Sequence, residues 1–210
     1  MEQQLQQLRR HMLPWRFSST GSYHQPDRVS VRALAYRVLC AAEIEHYLED
    51  RCAEIAKTAL DSWKTRAATS NSLVSLAMFS GIKLESPPPY LNPRPKDQRD
   101  WDDLVSPAQR IERCIDKYVD FATKENHGIR EKNLLALLLP VGVDLRNVDP
   151  ALITRMDAFG AMRGDAAHLS TLRAIRVGVD PADELKEVTA IRDGLVDVDA
   201  KLDELLAAAK

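Results

Sequence analysis

The chain has 210 residues, 45% hydrophobic, 29% charged and 6% aromatic, with a formal net charge of −2. It is long enough to bury one substantial core or two small ones, and its charge excludes a surface coated in basic residues for duplex DNA, though not a local cationic cleft. Only 8 glycines are present, which favours helix, and no run approaches the ~20 apolar residues of a membrane span, so a cytoplasmic protein is expected.

Residues 1–27 read as an extension: a short polar helix through "EQQLQQLRRHM", then a "SSTGSYHQP" linker of turn-forming residues. The helical domain is expected over 28–210. From about Arg28 to Arg66, Leu34, Val38, Ala41, Glu45, Leu48, Cys52, Ile55 and Ala59 alternate steps of four and three, the spacing of a helix's core seam. One member of that seam, Glu45, is a carboxylate. Cys40, Cys52 and Cys114 have no CxxC spacing and are odd in number, as expected of free buried thiols in a reducing compartment.

"TSNS" offers an N-cap for a short helix, "LVSLAMFSGI". A proline-rich stretch at about 86–100 follows, with five prolines in "ESPPPYLNPRPKDQRD"; it cannot be helix and reads as a stiff exposed loop. Helix resumes at "SPAQRIERCIDKYVDFAT", with Ser106 as N-cap, Pro107 at the first helical position, and an apolar stripe of Ile111, Ile115, Tyr118, Val119 and Ala122. A turn and a short helix stopped by Pro140 lead to a helix from about Pro150 to Arg176. The last helix repeats the four-three seam through Val188, Ile191, Leu195, Val198, Leu202 and Leu205. No segment alternates as a strand does. The fold class is all-α: a bundle of about four long helices and two short ones.

The helix after Pro150 carries the chemistry. At ~100° per residue, Leu152, Met156, Phe159, Ala166 and Ala167 fall within roughly 60° of Arg163, which puts a guanidinium at the centre of an apolar face. Arginine is almost never fully buried unpaired, so this face must meet an acid or border a cleft that uses a cation. Glu45 is the acid that also interrupts an apolar seam; Asp165 is the local alternative. His168 is five residues on, about 140° round, and Gly160 and Gly164 lie in the sector between. Two helix-interior glycines, each costing about 1 kcal/mol relative to alanine, imply that backbone or ligand approaches there. A structural Arg–Glu pair with a surface imidazole accounts for the same pattern.

The string "RGDAAH" matches R-x4-H, and its surroundings, "AAEIEHYLEDRCAEIA", "HGIREKNLLALLLPVGVDL" and "DPALITRMDAFGAMRGDAAH", resemble the RiboL-PSP-HEPN branch of the HEPN superfamily over roughly Ser30 to Leu205. The resemblance implies an α-helical domain that dimerises so that two R-x4-H motifs face one cleft. It also implies metal-independent RNA cleavage, with Arg163 polarising the scissile phosphate and His168 as acid or base. Glu45 matches an acidic position of the family's first long helix. The residue after the motif arginine is usually Asn, Asp or His; here it is Gly164, with the acid one place later at Asp165.

This chemistry asks for those residue types: an imidazole titrates near neutrality, and a guanidinium is permanently charged and forks onto phosphate oxygens. His11, His24, His46 and His127 form no H-x3-H or HExxH spacing, and neither GxxxxGK nor GxSxG occurs, so no metal or cofactor is expected. The expected partners are RNA, a second copy of the chain, and a cognate antitoxin or sensor protein. A non-catalytic HEPN-like module that binds RNA or protein is the alternative, and a purely structural dimerisation bundle the simplest one.

Overall fold

The structure, a computed structural model, describes residues 1–79, 106–168 and 178–210, apart from the side chains of residues 166–168. The proline-rich stretch at 86–100 lies outside the described residues, as do the expected ends of the third helix and of the Arg163 helix. Seven α-helices and no strand occupy the described residues: α1 Glu2–Met12, α2 Pro26–Arg66, α3 Asn71–Phe79, α4 Pro107–Asp120, α5 Glu131–Leu138, α6 Pro150–His168 and α7 Pro181–Ala209. The fold is all-α, and no described helix is long and apolar enough to cross a membrane.

Helix starts follow the capping chemistry of the sequence. Ser70 Oγ accepts from Leu73 N at 3.2 Å for α3, and Ser106 Oγ accepts from Gln109 N at 3.3 Å for α4. Asp149 Oδ1 accepts from Ala151 N at 2.9 Å and Asp180 Oδ1 from Ala182 N at 2.8 Å, each with a proline at the first helical position. These caps satisfy amide donors that the first helical turn leaves orphaned. At the far end of α5, Gly142 adopts φ +100, a conformation that favours glycine, and Val143 N donates to Leu138 O at 3.1 Å to close the helix.

Two expectations about helix geometry are corrected. The stripe expected to stay α-helical through Thr123 does so only to Asp120; Phe121–Glu125 is a π-turn, with Asn126 N donating to Phe121 O at 2.9 Å. The wider turn accompanies burial of Ala122 and Asn126, whose amide donates to Glu49 at 2.7 Å. On α7 the buried seam passes through Leu206 rather than the half-buried Leu205, and ends on Ala209. A strict four-three repeat drifts relative to a 3.6-residue turn, and a second step of four restores the register.

The chain forms two compact units. Unit 1 comprises Met1–Leu48, His127–Leu135 and Arg146–Ala200; unit 2 comprises Glu49–Asn126, Ala136–Leu145 and Lys201–Lys210. The stretch 28–210 contributes to both units, and α2 and α7, at 41 and 29 residues, each contribute residues to both. The stretch expected as an extension, 1–27, falls within unit 1: Leu5 and Leu13 are 4% and 6% exposed, and the Arg32 guanidinium donates to the His11 carbonyl at the end of α1. Unit 1 buries Tyr36, Ile44, Met156, Phe159, Val188 and Ile191. Unit 2 packs α3 against α4 and buries Cys52, Ile55, Leu76, Ile115, Leu137 and Leu138. All three cysteines are free and buried, and burial pushes the Cys40 and Cys52 thiols up to about 12.

Candidate functional site

The site is built on α6, in unit 1. Its first turns are held by packing: Leu152, Met156 and Phe159 are all buried, each contributing about 1.5–3 kcal/mol. A Cβ at Gly194 of α7 would lie 2.8 Å from Leu152 Cδ1, so glycine permits the close approach of the two helices. Arg155 adds an ion pair to Glu187 of α7 at 2.8 Å, a half-exposed contact worth about 0–1 kcal/mol and therefore secondary to the apolar seam.

The opposite flank of α6 meets the turn before α5. Asp157 accepts from Arg130 Nε and from Glu131 N, both at 3.1 Å, and these bonds hold its carboxyl below the usual carboxylate range, the Arg130 bond most of all. One turn on, a Cβ at Gly160 would lie 2.9 Å from Arg130 Cγ and 3.3 Å from Arg130 N. The approach expected at Gly160 is thus made by Arg130, through its side-chain Cγ and its backbone nitrogen together. At Gly164 nothing among the described residues lies within 4 Å.

Arg163 comes one turn after Phe159. Its side chain is 31% exposed, and its Nη2 donates to Glu45 Oε2 of α2 at 3.3 Å; the Glu45 side chain is 12% exposed. The two residues that interrupt apolar seams do meet. Arg163 is half-buried rather than enclosed. A guanidinium has five N–H donors, and one is engaged here among the described residues. The remaining donors, on a cation with a third of its side chain open, can accept an anion without displacing Glu45.

His168 is the final residue of α6, ~7.5 Å along the axis from Arg163 and ~140° round it; its side chain lies outside the described residues. Asp165 is exposed and points about 160° away from Arg163. It is not brought to the Arg163–Glu45 pair. Among the described residues no three His, Cys, Asp or Glu side chains gather as a metal site would require. Two residues that orient α6, Arg130 and Asp157, were missed by the sequence reading. The available signal was Asp157 facing the Gly160 side of the helix, one turn before it.

No family model matches the chain, and no curated protein or solved structure matches it either.

Proposed function

We propose that the protein is a metal-independent endoribonuclease of the cytoplasm, working as a homodimer with Arg163 and His168 of each copy bordering a shared cleft. The observation that carries this reading is the half-open Arg163 guanidinium, steadied by Glu45 at 3.3 Å and five residues before His168 on one helix. In the proposed reaction the RNA 2'-hydroxyl oxygen attacks the adjacent phosphorus and the bond to the 5'-oxygen breaks. The products are a 2',3'-cyclic phosphate and a 5'-hydroxyl. His168 takes the 2'-hydroxyl proton, and a protonated His168 returns one to the leaving oxygen; Arg163 stabilises the charge growing on the phosphoryl oxygens. Glu45 positions the guanidinium. Activity of this kind suits a toxin or anti-phage effector restrained by a cognate antitoxin or sensor protein.

The test is incubation of purified protein with total RNA in EDTA, followed by end-group analysis. Cyclic phosphate and 5'-hydroxyl ends, absent with Arg163→Ala and with His168→Ala, are expected, and light scattering should give twice the 23.6 kDa chain mass. Cleavage that survives both substitutions and vanishes with EDTA would overturn the reading. Gly164, standing where the resembled family usually has a polar residue, favours a second reading, a binding module without catalysis. That reading requires no cleavage by the wild type, with RNA affinity lost in Arg163→Ala and retained in His168→Ala.

A further inference from the structure

The segment after α1 presents an exposed aromatic among unpaired cations. Pro14 cannot continue the helix, and Leu13 before it is extended at φ −98, ψ 153. Leu13 is buried in unit 1, so the chain is anchored there. Two residues later Trp15 is 84% exposed, the most exposed large hydrophobic side chain among the described residues. An indole left this far in water needs a reason, because burying it would stabilise the fold by a few kcal/mol. Arg10 and Arg16, both exposed, lie within five residues of it, and among the described residues neither has a carboxylate partner. The first 32 residues hold five arginines (Arg9, Arg10, Arg16, Arg28, Arg32) against Glu2 and Asp27, in a chain whose net charge is −2.

We infer that Trp15, with Arg10 and Arg16, is a docking platform for single-stranded RNA, the indole stacking a base and the guanidiniums meeting backbone phosphates. The choice of RNA rests on the function proposed above; the platform itself does not. A base can stack on the indole only if it is unpaired, which selects single strands over duplex. An anionic membrane would also attract this chemistry, but it needs an apolar face to insert. The apolar face of α1 is already used, with Leu5 buried in unit 1 and Leu13, just after the helix, buried beside it in the same unit. Arg32, which holds the end of α1 through the His11 carbonyl, is thirteen residues before Glu45 on α2, or ~20 Å along the helix. About six stacked nucleotides cover that length.

The test uses the full chain and a 2'-O-methyl oligoribonucleotide of about ten nucleotides, which lacks the attacking hydroxyl, so binding is read whether or not the protein cleaves. Trp15→Ala should weaken binding about 5- to 150-fold, the size of one base–aromatic stack, with Trp15→Phe recovering most of it. Arg10→Gln with Arg16→Gln should lower the slope of log affinity against log salt by about 1.4, two phosphate contacts on a single strand. Unchanged affinity and slope in these variants would overturn the platform, even where the wild type cleaves RNA. So would Trp15-dependent binding to phosphatidylglycerol vesicles with none to the oligonucleotide. Binding that depends on Trp15 in a protein that never cleaves would uphold the platform and sink the nuclease.

Discussion

The two units use their polar side chains differently. In unit 2 buried polar groups are closed by structure at Tyr118, which donates to the Leu137 carbonyl at 2.6 Å, and at Asn126, which donates to Glu49 at 2.7 Å, while the Ser72 hydroxyl, on a residue 1% exposed, has no hydrogen-bond partner among the described residues. Unit 1 has closed pairs too, Arg37 forking onto Glu184 and Tyr47 donating to Asp199, but its seam cation Arg163 is half-open, with one hydrogen bond among the described residues. A protein needs closed pairs to hold a core, since an unsatisfied buried group costs about 1–3 kcal/mol. It does not need an open one. The difference separates polar groups that stabilise from those left available to a ligand, and substitutions can test whether that separation is real.

The largest effects should come from α6. Arg163→Ala and His168→Ala should each lower the RNA cleavage rate by ~10²–10⁴ while the far-ultraviolet circular dichroism stays unchanged. In unit 2 the outcome should be reversed. Asn126→Ala withdraws a donor from the buried Glu49 and should destabilise by about 1–3 kcal/mol in urea unfolding, with the cleavage rate of the folded protein unaltered. If Asn126→Ala silences cleavage without destabilising, the contrast between the units fails.

A smaller effect tests the Arg163–Glu45 contact itself. Glu45→Gln should slow cleavage by loosening the guanidinium, and Arg163→Met should leave the Glu45 carboxylate, 12% exposed, without its cation. The double substitution should then cost about 0.5–1 kcal/mol less stability than the two singles together. Additive costs would mean the pair does not interact in solution.

This contact was legible in the sequence because two charged residues broke two apolar seams, and burial leaves such residues few alternatives. Helix starts at Ser70 and Ser106 were equally legible, since capping is local chemistry. The π-turn at Phe121 was not, because its spacing depends on where the core accepts Ala122 and Asn126. Nor was the division of the chain into two units: the seam of α2 runs unbroken through Leu48 and Cys52, so periodicity carries no mark of a change of core. The packing of residues 1–27 in unit 1 was legible in part: Met1, Leu5, Leu8 and Met12 follow the same four-three spacing, and Leu5 with Leu13 is buried.

The glycines of α6 give the finest test. Alanine at Gly160 gains about 1 kcal/mol of helix propensity but places a Cβ 2.9 Å from Arg130 Cγ and 3.3 Å from its backbone nitrogen. Overpacking of this kind costs about 1–3 kcal/mol, so Gly160→Ala should be neutral to destabilising. Alanine at Gly164 meets nothing within 4 Å among the described residues, and the same propensity gain should raise stability by up to ~1 kcal/mol. Gly164 lies between Arg163 and His168 on the helix surface. If the glycine is there to let an RNA backbone approach, Gly164→Ala should slow cleavage while raising the unfolding midpoint. A variant that is more stable and cleaves as fast as the wild type would show that no such approach occurs at this turn of α6.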